Sequence, residues 1–97
     1  LTLKEQGSET SSDISKLQSV IANNPTDHQA RYDLALALSS DGNHEEAIEH
    51  LVEIIKHDRQ WNEDSAREQL LKIFEALGPT DPVTVNGRRK LSTVLFS

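Results

Sequence analysis

The chain has 97 residues, a formal net charge of -6, 35% hydrophobic residues and only 4% aromatics, which bounds it to one small domain with an aliphatic core. It contains no cysteine, which removes disulfides, thiol catalysis and thiolate metal sites and fits a reducing, cytoplasmic setting. Its acidic balance repels phosphate backbones, so no nucleic acid is expected as a partner, and no apolar run approaches the ~18–20 residues of a membrane span.

Residues 1–12 are polar and rich in Ser and Thr, without periodicity, and read as a linker or tail. The chain lacks Met and begins with Leu1, from which an excised domain is expected. From Asp13 to Asn23 the apolar residues Ile14, Leu17, Val20 and Ile21 recur at helical spacing, with Ser12 as the expected N-cap. Asn24-Pro25 ends this helix, because proline disfavours the helical region in the residue before it.

A second helix is expected over 27–41, opened by Thr26 and Gln29 as a capping box and carried by Leu34 and Leu38 among Ala30, Ala35 and Ala37. Gly42 supplies a left-handed stop. Asn43 is the expected cap of a third helix, over 44–57, whose apolar face is Ala47, Ile48, Leu51, Val52, Ile54 and Ile55. A fourth follows Trp61 over 63–77, with Asn62 as cap and Ala66, Leu70, Ile73, Phe74 and Leu77 as its stripe. Asp81-Pro82 opens a fifth over 82–95, with Val83, Leu91, Val94 and Leu95 on one face. Gly87 lies inside that helix at a cost of about 1 kcal/mol relative to alanine, for which close helix packing is the expected compensation. No stretch alternates as a strand would.

Between Pro25 and Arg59, Leu34-Ala35, Leu38, Ala47 and Leu51 fall at the spacings of the tetratricopeptide repeat pattern, with Arg31 at its Trp position. The expected fold is therefore all-α, a TPR-like stack of antiparallel hairpins over 13–97 with about five helices. The first helix would cap the stack. Such a unit stacks and presents surfaces, so the first functional expectation is a binding module.

Chemistry is sparse. His44-Glu45-Glu46-Ala47-Ile48 fails the H-E-x-x-H motif at Ile48. Glu46, His50, Glu53 and His57 fall within about 60° of one helix face, but opposite the apolar side, where a solvated charged face is expected rather than a metal site. No nucleophile elbow or glycine-rich phosphate loop occurs, so no enzyme activity and no cofactor are expected.

Two surfaces stand out for binding. On the second helix Gln29, Tyr32, Leu36 and Ser39 hold the positions that face the groove in a TPR hairpin. Tyr32 and Leu36 either contact an apolar peptide or pack on the fourth helix, and packing is the preferred reading. The groove lacks the Lys and Asn that would clamp a peptide carboxylate. On the fifth helix Val85, Arg89, Ser92 and Phe96 lie opposite the Val83/Leu91 face, beside Arg88. Aromatic plus arginine is the composition of interaction hot spots; the alternative folds Phe96 back into the core. Arg88-Arg89-Lys90 also suits the C-terminal half of a helix through the macrodipole.

The runs Arg59-Gln60-Trp61, Ala66–Gly78, Asp81-Pro82 and Arg88–Phe96 resemble the C-terminal TPR-like region of bacterial thioredoxin-domain co-chaperones of the YbbN (CnoX) type. The resemblance implies a module that meets unfolded clients, a chaperonin or the Hsp70 system, with Val83–Phe96 matching the chaperonin-docking helix. No redox activity follows for this chain, because the thioredoxin half lies outside the resemblance. The alternative is a structural role, in homo-oligomerisation or in packing against a thioredoxin domain.

Overall fold

The computed structural model describes residues 2–96, with side chains described from residue 13 to residue 96. Five helices follow one another: α1 Thr2–Asn23, α2 His28–Ser40, α3 His44–His57, α4 Ser65–Leu77 and α5 Pro82–Phe96. No strand occurs among the described residues, so the all-α, TPR-like expectation holds. Leu1, Ser97 and the side chains of residues 2–12 lie outside the described residues.

The first helix begins at Thr2 rather than after a cap at Ser12, which falls inside it. The segment has no apolar stripe to announce a helix. It also has no proline, and Lys4, Glu5, Gln6 and Glu9 are all good helix formers. Along its packed part Ile21 is buried and Ile14 and Leu17 rest on the core. Val20, expected on the same face, is instead 40% exposed.

Helix α3 is the hub, packing against α2, α4 and α5, while α1 lies on α2 and α4 touches α5. All six of its predicted apolar residues are buried. Val83 shares a cleft with Glu45 and Glu46 at one end of α3, and Leu95 shares another with Ile55 and Arg59 at the other end. Helices α3 and α5 therefore run in the same direction, as alternate helices of a hairpin stack must.

The turn between α2 and α3 closes as expected. Gly42 takes φ +88, which only glycine adopts readily, and Asn43 N–H donates to the Leu38 carbonyl at 2.8 Å. Two caps differ from expectation. Asp27, not Thr26, caps α2: its carboxylate accepts from Ala30 N–H at 3.0 Å, while the Thr26 hydroxyl donates to Asn24 Oδ1 and Gln29 bonds Asp33. An ionised carboxylate is the stronger acceptor for a helix-terminal amide, so the Asp wins the position. Asn43 stands at the N-cap of α3 without a side-chain cap bond.

At α4 the cap is Asp64 rather than Asn62, and Asn62, Glu63 and Asp64 all have positive φ, between 50° and 66°. Three consecutive left-handed non-glycine residues cost about 1–2 kcal/mol each. The loop holding them is fastened by Trp61, whose ring lies 5.4 Å from Tyr32 and 6.2 Å from His28.

Helix α5 opens as predicted, with Pro82 in the first turn and Asp81 Oδ1 accepting from Val83 N–H at 2.8 Å. Gly87 has the close contact its position called for. A Cβ there would stand 2.6 Å from Phe74 Cε1 and 3.3 Å from Ile48 Cδ1. The fully buried residue of α5 that periodicity missed is Thr84, because its polar side chain does not read as core.

Candidate protein-interaction surface

The buried line of α5 is Thr84, Gly87 and Leu91, with Val83, Val94 and Leu95 at its margins. At 100° per residue, Val85, Arg89, Ser92 and Phe96 fall within about 60° on the opposite side. The structure leaves all four exposed, together with Arg88. Phe96 is 85% exposed and Val85 43%, so the alternative in which Phe96 folds back into the core is not what occurs. The third base of the cluster, Lys90, turns toward Glu49 of α3 at 3.9 Å. Both partners are solvated, so this pair contributes little, but it separates Lys90 from the free stripe.

The end of α5 is held by Arg59, whose Nη2 donates to the Leu95 carbonyl at 2.7 Å. This is a charge-assisted bond to one of the last carbonyls, which lack partners within the helix. The exposed stripe is thus carried by a helix anchored at both ends, by Asp81 at its start and Arg59 at its finish.

The groove face of α2 is more committed to the chain itself. Gln29 is exposed and bonded to Asp33. Tyr32 is half-buried against Trp61, so its packing partner is the α3–α4 loop rather than α4 as expected. Ser39 meets His44 Nδ1 at 3.2 Å, and Leu36 is half-buried. Of these four, Gln29 alone is exposed, and Tyr32, Leu36 and Ser39 are all half-buried.

Arg31, at the Trp position of the repeat pattern, locks α2 to α3. Its Nη1 donates to His50 Nδ1 at 3.1 Å and its Nη2 to the Pro25 carbonyl at 3.2 Å. A guanidinium can only donate, so His50 must accept at Nδ1 and carry its proton on Nε2. Burial, then the Arg31 charge, hold the His50 pKa below 6.5, against the pull of Glu46, Glu49 and Glu53. His50 is therefore a half-buried neutral bridge, where sequence spacing places it on a solvated face. His57 pairs with Glu53 at 2.8 Å. Among the described residues no three His, Asp or Glu side chains come together as a metal site would need, and no helix is long and apolar enough to cross a membrane.

Sequence comparison agrees with this architecture. The model of the tetratricopeptide repeat family matches residues 7–96, which takes in part of the segment read as linker. The chain is also similar to an uncharacterized protein of Haemophilus influenzae, with 37% identity over 84 residues. That match covers 87% of the chain but 38% of the relative's length.

Proposed function

The chain belongs to the tetratricopeptide repeat family, whose domains are generally non-catalytic protein–protein interaction modules, and we propose that it is the interaction module of a thioredoxin-fold co-chaperone, docking a chaperonin or client protein through α5. One observation carries the assignment to α5. Phe96 projects into solvent at the end of a stripe that carries the exposed Arg89, with exposed Arg88 beside it, on a helix whose opposite face is packed. The co-chaperone context draws on the resemblance of Arg59–Trp61, Ala66–Gly78 and Arg88–Phe96 to that family's C-terminal region. On this reading the domain has no catalytic site and no cofactor.

The test is binding of the purified chain to a purified bacterial chaperonin by biolayer interferometry. Phe96→Ala and, separately, the double variant Arg88→Glu/Arg89→Glu should each weaken binding roughly tenfold or more, the scale of a hot-spot loss. Their circular dichroism spectra should stay unchanged, since these side chains are exposed. Truncation before Val94 is a blunter variant, because Val94 and Leu95 pack on the core. Equal binding by wild type and both variants would remove the assignment. A dimer that persists on dilution and is lost with Phe96→Ala would instead give the face to self-association.

A further inference from the structure

The exposed stripe of α5 does not end on a flat surface. Phe96 and Leu95 line a cleft of about 350 Å³ together with Ile55, Arg59, Gln60, Asp64 and Arg67. Three apolar residues, two of them from the end of α5, are thereby brought beside two arginines some thirty residues earlier in the sequence. Arg59 spends one N–H on the Leu95 carbonyl, leaving four of its five donors for other acceptors. Arg67 makes no hydrogen bond or ion pair among the described residues. Asp64 lines the same cleft without pairing to either arginine, and its side chain makes no cap bond to the first turn of α4. Two cations face one carboxylate in a chain whose net charge is -6.

We infer that this cleft is the subsite for an acidic side chain flanked by apolar residues in a segment of the partner protein that lies along α5. The inference rests on the docking role proposed for α5 and names the chemistry that role requires of the partner. Charge complementarity supplies the carboxylate: arginine forks bind it bidentately, and the aliphatic floor lowers the competition from water. Continuity supplies the segment. Arg89 lies seven residues before Phe96 on the same stripe, about 10 Å along the helix axis. A segment passing over both points meets bases at each, whereas a chain terminus seated in the cleft would leave Arg88 and Arg89 without a partner.

The probe is a blocked, amidated peptide with one glutamate between two leucines, with the same peptide carrying glutamine as its control. Titrations into the isotopically labelled chain are followed by the backbone amides and the arginine Nε–H resonances. The glutamate peptide should shift Arg59, Arg67, Leu95 and Phe96 and bind about tenfold more tightly than the glutamine peptide. Arg67→Gln, which breaks no hydrogen bond or ion pair among the described residues, should remove most of that preference. Arg59→Gln should do the same, with any loosening of α5 visible in its own amide spectrum.

Equal binding of the two peptides, shifts centred on α2, or an unaltered preference in Arg67→Gln would overturn the inference. A glutamine peptide with a free C-terminal carboxylate that binds better than the glutamate peptide would also overturn it, in favour of a terminus-reading site. Failure here is separable from failure of the docking role. If Phe96→Ala abolishes chaperonin binding while Arg67→Gln leaves both binding and peptide preference intact, the cleft inference falls and the role of α5 stands. If no chaperonin binds but the peptide preference is present, the reverse holds.

Discussion

Helices α3 and α5 run side by side in the same direction, yet they are built for different work. Helix α3 buries six apolar side chains and touches three other helices. Helix α5 buries a threonine, a glycine and one leucine, and turns Val85, Arg89, Ser92 and Phe96 outward. The same stack thus contains a scaffold helix whose whole apolar face is packed, with charged residues such as Glu45, Glu46 and Glu49 turned outward, and a presenting helix with a narrow line of attachment. Among the described residues no other helix covers the outward face of α5. Binding capacity in this fold is the face that packing leaves over.

The largest expected effect falls on the scaffold helix. Leu51 is fully buried in α3 and Leu91 lies at the thinner α5 contact. Leu51→Ala should cost about 3–5 kcal/mol and Leu91→Ala nearer ~2 kcal/mol, from lost transfer energy and residual cavity. Urea denaturation of both variants measures the difference. Equal losses would mean that α5 is as much a part of the core as α3, and the comparison would fail.

Next in size is the contact that lets α5 approach. Gly87→Ala places a methyl 2.6 Å from the edge of the buried Phe74 ring. Overpacking of this kind costs about 1–3 kcal/mol, offset by the ~1 kcal/mol that alanine gains over glycine in a helix. A net loss of about 1 kcal/mol is expected, and combining it with Phe74→Leu should recover part of it. A stabilised Gly87→Ala would show that the Phe74 ring turns aside without cost.

Thr84 sharpens the same comparison with the opposite sign. Its side chain is fully buried, and its hydroxyl has no hydrogen-bond partner among the described residues. Thr84→Val keeps the shape and removes the unsatisfied group, so it should stabilise by about 1 kcal/mol. The gain should appear as a raised urea midpoint with binding through the exposed stripe unchanged.

How much of this was legible beforehand differs along the chain for physical reasons. The apolar face of α3 is a clean helical period of large aliphatic residues, and every member of it is buried. Thr84 escaped because a polar residue carries no such signal, and Asn62–Asp64 escaped because left-handed backbone is announced by glycine, which this turn lacks. Trp61 could be seen as large and apolar, but its partners Tyr32 and His28 come from another helix. The stripe on α5 could be drawn from spacing alone, since it lies within one helix. The cleft at its end could not, because Ile55, Arg59, Arg67 and Phe96 meet only through the packing of three helices.

The smallest effect separates the two helices by pH. His50 of α3 bridges to Arg31 as an acceptor, and burial followed by the Arg31 charge lowers its pKa in the folded state below 6.5. Between that lowered value and 6.5 the unfolded chain binds more proton at this position than the folded chain. The contribution of His50 is therefore complete above pH 6.5 and is lost as pH falls through the folded pKa. His50→Gln keeps an acceptor for Arg31 but cannot titrate, so the drop in urea midpoint between about pH 7.5 and about pH 5 should shrink in this variant. Helix α5 contributes no group to this bridge. Peptide preference at the Arg59/Arg67 cleft should consequently be the same in His50→Gln and wild type at either pH, even where their stabilities diverge. A pH-dependent loss of binding that His50→Gln abolishes would instead couple the scaffold helix to the presenting one, and the division between them would have to be redrawn.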